Sequence, residues 1–290
     1  MKTILITGSA GQVGSELQEL AKANYLPGFR FIFTDSDQLD ICDAESLIDF
    51  FRKEEIAYCL NCAAYTAVDK AESDMDNAIK VNVTGAENLA RASARFGAKL
   101  LHISTDYVYH GSQNTPFKEE DETNPQSVYG LSKLQGENRA AEICAETLII
   151  RTSWVYSSFG NNFVKTMLKL GADRPELRVI FDQIGTPTYA ADLAMVMLEL
   201  IKISEAGSGP GWQGIYHYSN EGVCSWFDFA VAIFDIKGMK TKVFPIETKD
   251  YPTPARRPHF SLLNKSKIKS DFGIAIPYWR ESLKKCLELL

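Results

Sequence analysis

Short apolar runs alternate with amphipathic stretches through the first 150 residues of the chain. Runs at Thr3 to Thr7, Phe29 to Thr34, Ala57 to Cys62, Lys99 to Ser104 and Thr147 to Arg151 are too short for buried helices and rich in β-branched and aromatic residues, so they read as strands. Between them, apolar residues recur at helical spacing over Val13 to Lys22, Ala44 to Lys53, Ala71 to Phe96 and Ser127 to Glu142. Strand and helix in strict alternation predict βα units wound into a parallel sheet. A later strand at Arg178 to Phe181, a helix at Ala191 to Ile203 and a strand at Gly214 to Tyr218 predict a return to that sheet, which would then have seven strands. The expected fold class is α/β: a Rossmann-type doubly wound parallel sheet with a smaller C-terminal lobe. Residues 1–152 form the sheet domain, with return segments 178–204 and 214–219. Residues 153–177 and 220–290 form the lobe.

Composition narrows the class. Of 290 residues, 45% are hydrophobic, enough to bury a large core. The net charge of -6, from 31 basic and 37 acidic residues with no basic arm, argues against a nucleic-acid partner. No apolar run reaches the roughly 18 residues that span a bilayer, and the N-terminal apolar stretch runs directly into a glycine turn. A cytoplasmic enzyme with no membrane partner is the expectation. Six cysteines do not make a disulfide scaffold. Cys59 and Cys62 have CxxC spacing, but on a strand they face opposite sides. The histidines at 102, 110, 217 and 259 form no metal-ligand spacing, so no structural metal is expected.

Gly8, Gly11 and Gly14 follow the first strand and open a helix. In that context glycines let the backbone turn tightly and approach a pyrophosphate, which meets the free N–H groups of the helix start. The second strand ends in Asp35, about 20 residues on, where a carboxylate suits the adenosine ribose hydroxyls. Asp35 favours NADH, since it would repel a 2'-phosphate and neither Ser36 nor Asp37 supplies a counter-charge. Other loops can still supply one, so the expected cofactor is NADPH or NADH. Asp40 and Ile41 are placed to cover the adenine, and Ala63, Ala64 and Tyr65 leave the third strand with small residues where a cofactor passes.

Thr105 stands at the carboxyl end of the fourth strand, where doubly wound sheets bind ligands, and its hydroxyl suits a substrate carbonyl. Tyr129 and Lys133 lie four apart on one face of a helix. An ammonium beside the phenol would stabilise the phenolate and make Tyr129 a proton donor and acceptor near neutral pH. The stretch Tyr251-Pro-Thr-Pro-Ala-Arg-Arg-Pro258 is a stiff extended loop, since three prolines fix its dihedrals and remove donors. It carries Arg256 and Arg257, whose guanidinium forks suit diphosphate oxygens.

The glycine turn, Thr105, Tyr129 and Lys133 together resemble the extended short-chain dehydrogenase/reductase superfamily. Within it, Asn61-Cys-Ala-Ala-Tyr-Thr-Ala-Val-Asp-Lys-Ala-Glu72, Ser104-Thr-Asp-Tyr-Val-Tyr109, Arg151-Thr-Ser-Trp-Val-Tyr156, Gly160-Asn-Asn-Phe163 and the proline-arginine loop are similar to the dTDP-4-dehydrorhamnose reductase family over nearly the whole chain. The resemblance implies reduction of a 4-keto sugar carried on dTDP, with Thr105 polarising the carbonyl, Tyr129 donating the proton and Lys133 holding the nicotinamide ribose. It places Gly11, Gln12, Val13, Asp35, Asp40, Ile41, Ala63, Ala64, Tyr65, Tyr129 and Lys133 at the cofactor. Thr105, Asp106 and Trp154 fall at the sugar nucleotide, and the resemblance also allows a homodimer. Some members bind Mg2+ at a dimer interface through acidic residues. Glu16 matches one such position, but Ala191 stands where the pattern has a carboxylate, with Asp192 beside it. Tyr107 stands where related dehydratases have the carboxylate base that elimination needs. A sugar-nucleotide 4-epimerase and a non-catalytic dinucleotide-binding subunit, like that of methionine adenosyltransferase, remain as alternatives.

Overall fold

A computed structural model describes the whole chain, Met1–Leu290. Its first half runs β1 (Lys2–Thr7), α1 (Gln12–Lys22), β2 (Phe29–Thr34), α2 (Ala44–Glu54), β3 (Ile56–Asn61), the short α3 (Val68–Ala71) and α4 (Met75–Ile79), α5 (Ala86–Phe96), β4 (Lys99–Thr105), α6 (Val128–Ile143) and β5 (Thr147–Thr152). The second half continues with β6 (Val155–Tyr156), α7 (Phe163–Asp173), β7 (Glu176–Ile180), β8 (Ile184–Gly185), β9 (Thr188–Tyr189), α8 (Ala190–Glu205), β10 (Gly214–His217), β11 (Cys224–Ser225), α9 (Trp226–Lys237), β12 (Lys242–Ile246), α10 (Ser266–Phe272) and α11 (Trp279–Glu288).

Six strands form one parallel sheet in the order β10-β5-β4-β3-β1-β2. Because successive side chains alternate between faces, Ile4, Ile6, Leu60, Leu101 and Ile150 pack with Val13 and Leu17 of α1 and Leu193 and Met197 of α8. Leu5, Cys59 and Leu100 pack on the other face against Leu47 and Phe51 of α2 and Leu89 of α5. Covered on both sides, β5 is buried at every position, the mark of a central parallel strand. Cys59 and Cys62 do lie on opposite sides of the sheet.

The expectation of a seventh strand fails. The strand around Arg178 pairs in parallel with β12, not with the main sheet, so the return toward the sheet begins only at α8. The reason is visible in its burial. Leu177 and Val179 are buried while Glu176 and Arg178 are exposed, so β7 has one apolar face and could not sit between two helix layers. That face joins a second core in which Val164 and Met167 of α7, Phe229 and Ile233 of α9, and Leu283 of α11 pack together.

The long helix expected over Ala71 to Phe96 is also interrupted. Between α4 and α5 the backbone makes a π-helical turn over Lys80–Gly85. There the Asn82 side chain accepts from the Tyr65 N–H at 2.8 Å and donates to the Ser132 hydroxyl at 3.0 Å, clasping α6 to the loop after β3. Such turns concentrate at functional sites. Ser127, expected within α6, instead caps it, accepting from the Gly130 N–H at 3.1 Å. No helix is long and apolar enough to cross a membrane.

Candidate active site

The carboxyl ends of β1, β3, β4 and β5 open into a cleft of about 960 Å³. Every residue expected at the cofactor or the sugar nucleotide lines it except Gly14 and Arg256. Gly14 lies beneath the glycine turn: a Cβ there would stand 2.5 Å from the Gly8 carbonyl oxygen. Gly8 has φ +65°, and a Cβ on it would meet the Ala63 nitrogen at 2.6 Å. Both positions therefore demand glycine, one for close packing of α1 and one for the left-handed turn. Gly11 caps α1 without a side-chain acceptor, leaving the first amides of the helix to face the cleft.

Asp35 stands at the end of β2 and turns its carboxylate toward the glycine turn, accepting from Ser9 Oγ at 2.6 Å and from the Ala10 N–H at 2.9 Å. It thus braces the loop as well as lining the cleft.

At the other end, Thr105 closes β4. Its hydroxyl accepts from the Tyr107 N–H at 3.2 Å and donates to Asp106 Oδ1 at 3.0 Å. Asp106 is buried, its Oδ2 has no partner, and burial raises its carboxyl to about 6. Tyr129, in the first turn of α6, sets its ring edge-on to that of Tyr107, centroids 5.5 Å apart. Burial pushes the Tyr129 phenol well above the ordinary tyrosine range, opposed by the neighbouring Thr105 hydroxyl. Lys133 is 2% exposed and gives a hydrogen bond to the Ile103 carbonyl at 2.7 Å. Burial lowers its amine to about 8, with Glu137 and then Cys62 acting in the opposite direction. The lysine nitrogen is held by the backbone of β4 rather than by a hydrogen bond to the Tyr129 hydroxyl.

Trp154 follows β5 with φ +49°, a strained backbone for a bulky residue. Its ring is stacked on Trp226 at the start of α9, and Phe163 leans on Trp226 at 4.7 Å between centroids. Arg257 reaches in from the proline-rich loop, donating to Asp69 at 2.6 Å and to the Tyr107 hydroxyl at 3.1 Å. Arg256 lines instead an adjoining hollow of about 300 Å³, which shares Tyr107 and Arg257 with the cleft, and bonds only Gln126. A further hollow of about 860 Å³ shares Phe163, Trp226 and Arg257 with the cleft and is lined by Arg174, Arg178, Phe244 and Tyr251. Sequence reasoning missed Asn61, Asn82, His102 and Trp226. His102 had a readable signal, since an imidazole inside an otherwise apolar strand needs a buried partner.

Glu16, at the one matching metal position of the resemblance, and Asp192, beside Ala191 at the other, are both engaged within the chain. Glu16 accepts from the Ser157 hydroxyl at 2.6 Å, and Asp192 accepts from Asn220 at 2.7 Å.

The RmlD substrate binding domain family matches residues 1–290. A dTDP-4-dehydrorhamnose reductase of Escherichia coli K12 is 42% identical, over 99% of this chain and 97% of its own. The crystal structure of a dTDP-4-dehydrorhamnose reductase from Clostridium acetobutylicum superposes with a TM-score of 0.93 at 43% identity, covering 99% of each chain. That from Bacillus anthracis, in complex with NADP, gives a TM-score of 0.93 at 38% identity over 100% of both chains.

Proposed function

The chain belongs to the RmlD substrate binding domain family, that of the dTDP-4-dehydrorhamnose reductases, and from this we propose that it reduces the C4 keto group of dTDP-4-dehydro-β-L-rhamnose to dTDP-L-rhamnose. The reaction consumes NADPH or NADH and belongs to deoxysugar-nucleotide and cell-surface polysaccharide biosynthesis. The observation that carries the reading is the meeting of Thr105, Tyr129 and Lys133 at one end of a cleft whose other end is the glycine turn.

The residues present fit a nicotinamide dinucleotide. The turn that a Cβ would fill, the uncapped start of α1 and the small side chains of Ala63 and Ala64 leave room for a pyrophosphate and its riboses. When bound, the dinucleotide supplies the hydride that C4 receives. As negative charge develops on the C4 oxygen, Tyr129 gives it a proton, and the burial that raises the phenol keeps that proton on Tyr129 beforehand. Thr105 polarises the same oxygen, provided Asp106 releases its hold on the hydroxyl proton. A carboxyl raised to about 6 can do so by taking a proton itself. Lys133 orients the ribose from the floor of the cleft. Arg257 meets the diphosphate and Trp154 the sugar. The adjoining hollow, with Arg178, Phe244 and Tyr251, suits the nucleoside end. Tyr107, where an eliminating enzyme needs a carboxylate base, has its hydroxyl engaged by Arg257, which supports reduction over dehydration.

The test is direct. The purified chain is mixed with dTDP-4-dehydro-β-L-rhamnose, made in situ by the epimerase that supplies it, and loss of NADPH or NADH is followed by absorbance. Turnover with either is expected; no loss with both sinks the assignment.

A further inference from the structure

A buried polar chain runs beneath the cleft, and it fixes more than side-chain positions. Thr7 Oγ1 donates to Asn61 Oδ1 at 2.7 Å, and the Ala63 N–H donates to the same oxygen at 3.1 Å. The backbone amide can only donate, so the Asn61 carbonyl must face it and the Asn61 amide must face the other way. There it meets His102 Nδ1 at 2.9 Å. His102 is 1% exposed, and burial holds it far below the ordinary imidazole range, so the ring is neutral. With Nδ1 accepting from Asn61, the single ring proton sits on Nε2. That N–H points at Lys133 Nζ, 3.4 Å away.

An ammonium has three protons to place and no lone pair. Around Lys133 stand His102 of β4, Glu137 of α6, and Cys62 beyond β3. Glu137 is committed to Arg151, which meets its two oxygens at 3.0 and 2.7 Å. The hydrogen bond to the Ile103 carbonyl is the one acceptor contact Lys133 makes in the protein. A neutral amine fits the surroundings better. It gives one proton to Ile103 and receives the His102 N–H on its lone pair.

We infer that His102 is a positioning residue for Lys133: locked by Asn61 as the Nε2–H tautomer, it favours the neutral amine in the empty cleft, so that on the alkaline side of neutrality dinucleotide binding draws a proton onto Lys133. The hydroxyl-rich ribose supplies the acceptors an ammonium lacks, and the proton comes from solvent. The inference rests on the reading of the cleft as a dinucleotide site.

Calorimetric titration of the full chain with NADPH, and in parallel NADH, in buffers of contrasting ionisation enthalpy counts protons taken up on binding. With the free amine near 8, uptake approaches about one proton per site near pH 9 and vanishes near pH 7. Lys133→Met abolishes it. His102→Gln, which offers the lysine a carbonyl oxygen, lets the ammonium form before binding and suppresses uptake. Asn61→Asp does the same from the far end, because a carboxylate takes the Nδ1 proton and turns Nε2 into an acceptor. Binding without uptake near pH 9 in the unaltered protein overturns the inference alone. Wild-type uptake in a folded His102→Gln or Asn61→Asp protein also overturns it. If neither dinucleotide binds, the reading of the cleft itself fails.

Discussion

The Trp154 ring lies flat on that of Trp226, centroids 3.7 Å apart and planes 12° from parallel, although 71 residues separate them and the Trp154 backbone is in the left-handed region. The pair stands where the cleft meets the second hollow, so it joins the main sheet to α9 at the point where a sugar nucleotide would cross. Stacked aromatic pairs contribute roughly 0.5 to 1.5 kcal/mol beyond their area. Trp226→Leu is therefore expected to raise KM for the sugar nucleotide by about 2- to 10-fold while leaving dinucleotide affinity unchanged. Loss of the coupled indole signal in circular dichroism would report the unstacking, and an unchanged KM with that signal lost would remove Trp226 from substrate positioning.

Tyr129 is the one phenol that both lines the cleft and sits beside Thr105. Tyr129→Phe keeps the ring packed against Tyr107 and removes only the hydroxyl. The expected result is a fall in kcat of at least about 10²-fold, with NADPH binding by fluorescence within experimental error of the unaltered protein. A fully active Tyr129→Phe protein would move the acid elsewhere.

Much of this site was legible because its demands are specific to residue type. Only glycine tolerates the contacts at positions 8 and 14, and a threonine ending a parallel strand with a tyrosine and lysine one helical turn apart can be read from spacing. The β7 error shows where periodicity runs out: a short apolar run says that a strand forms, not which sheet receives it, and only the alternation of Glu176 and Arg178 with Leu177 and Val179 distinguished the two. The π-helical turn was hidden for a different reason. It depends on Asn82 finding Tyr65 and Ser132, partners that the fold brings together across 17 and 50 residues. His102 and Trp226 were missed likewise, since nothing local marks a side chain whose partner comes from a distant element.

Arg151 and Glu137 form the most deeply buried ion pair of the molecule, 3% and 1% exposed, tying β5 to the helix that carries Tyr129 and Lys133. Tyr109 adds its hydroxyl to the guanidinium at 2.7 Å. Removing one partner strands the other charge without water, at a cost of about 3 to 5 kcal/mol. Glu137→Ala and Arg151→Met should each lower the urea midpoint accordingly, whereas the paired change Glu137→Leu with Arg151→Met should recover much of the loss. Additive losses in the double mutant would mean that the pair is not the source of the effect.

His217 lies behind this pair, bonded to the Tyr109 hydroxyl at 2.8 Å and to the Asn264 carbonyl at 3.1 Å, and its imidazole is lowered to about 3 by burial first and then by Arg151. Its folded value is below its unfolded one, near 6.5. The unfolded chain therefore binds the extra proton between those values, and stability falls as pH drops through that window. His102, also held neutral by burial, acts in the same direction. Asp106 acts oppositely below about 6, because its folded carboxyl is raised, so the whole-protein profile mixes the signs. The comparison that isolates His217 is with His217→Gln, whose amide can accept from Tyr109 and has no charge to gain. Between pH 6.5 and 4, the stability of the unaltered protein relative to that variant should fall by up to about 1.4 kcal/mol per pH unit. Urea denaturation at stepped pH measures it, and parallel curves for the two proteins would show that His217 titrates alike in the folded and unfolded chain.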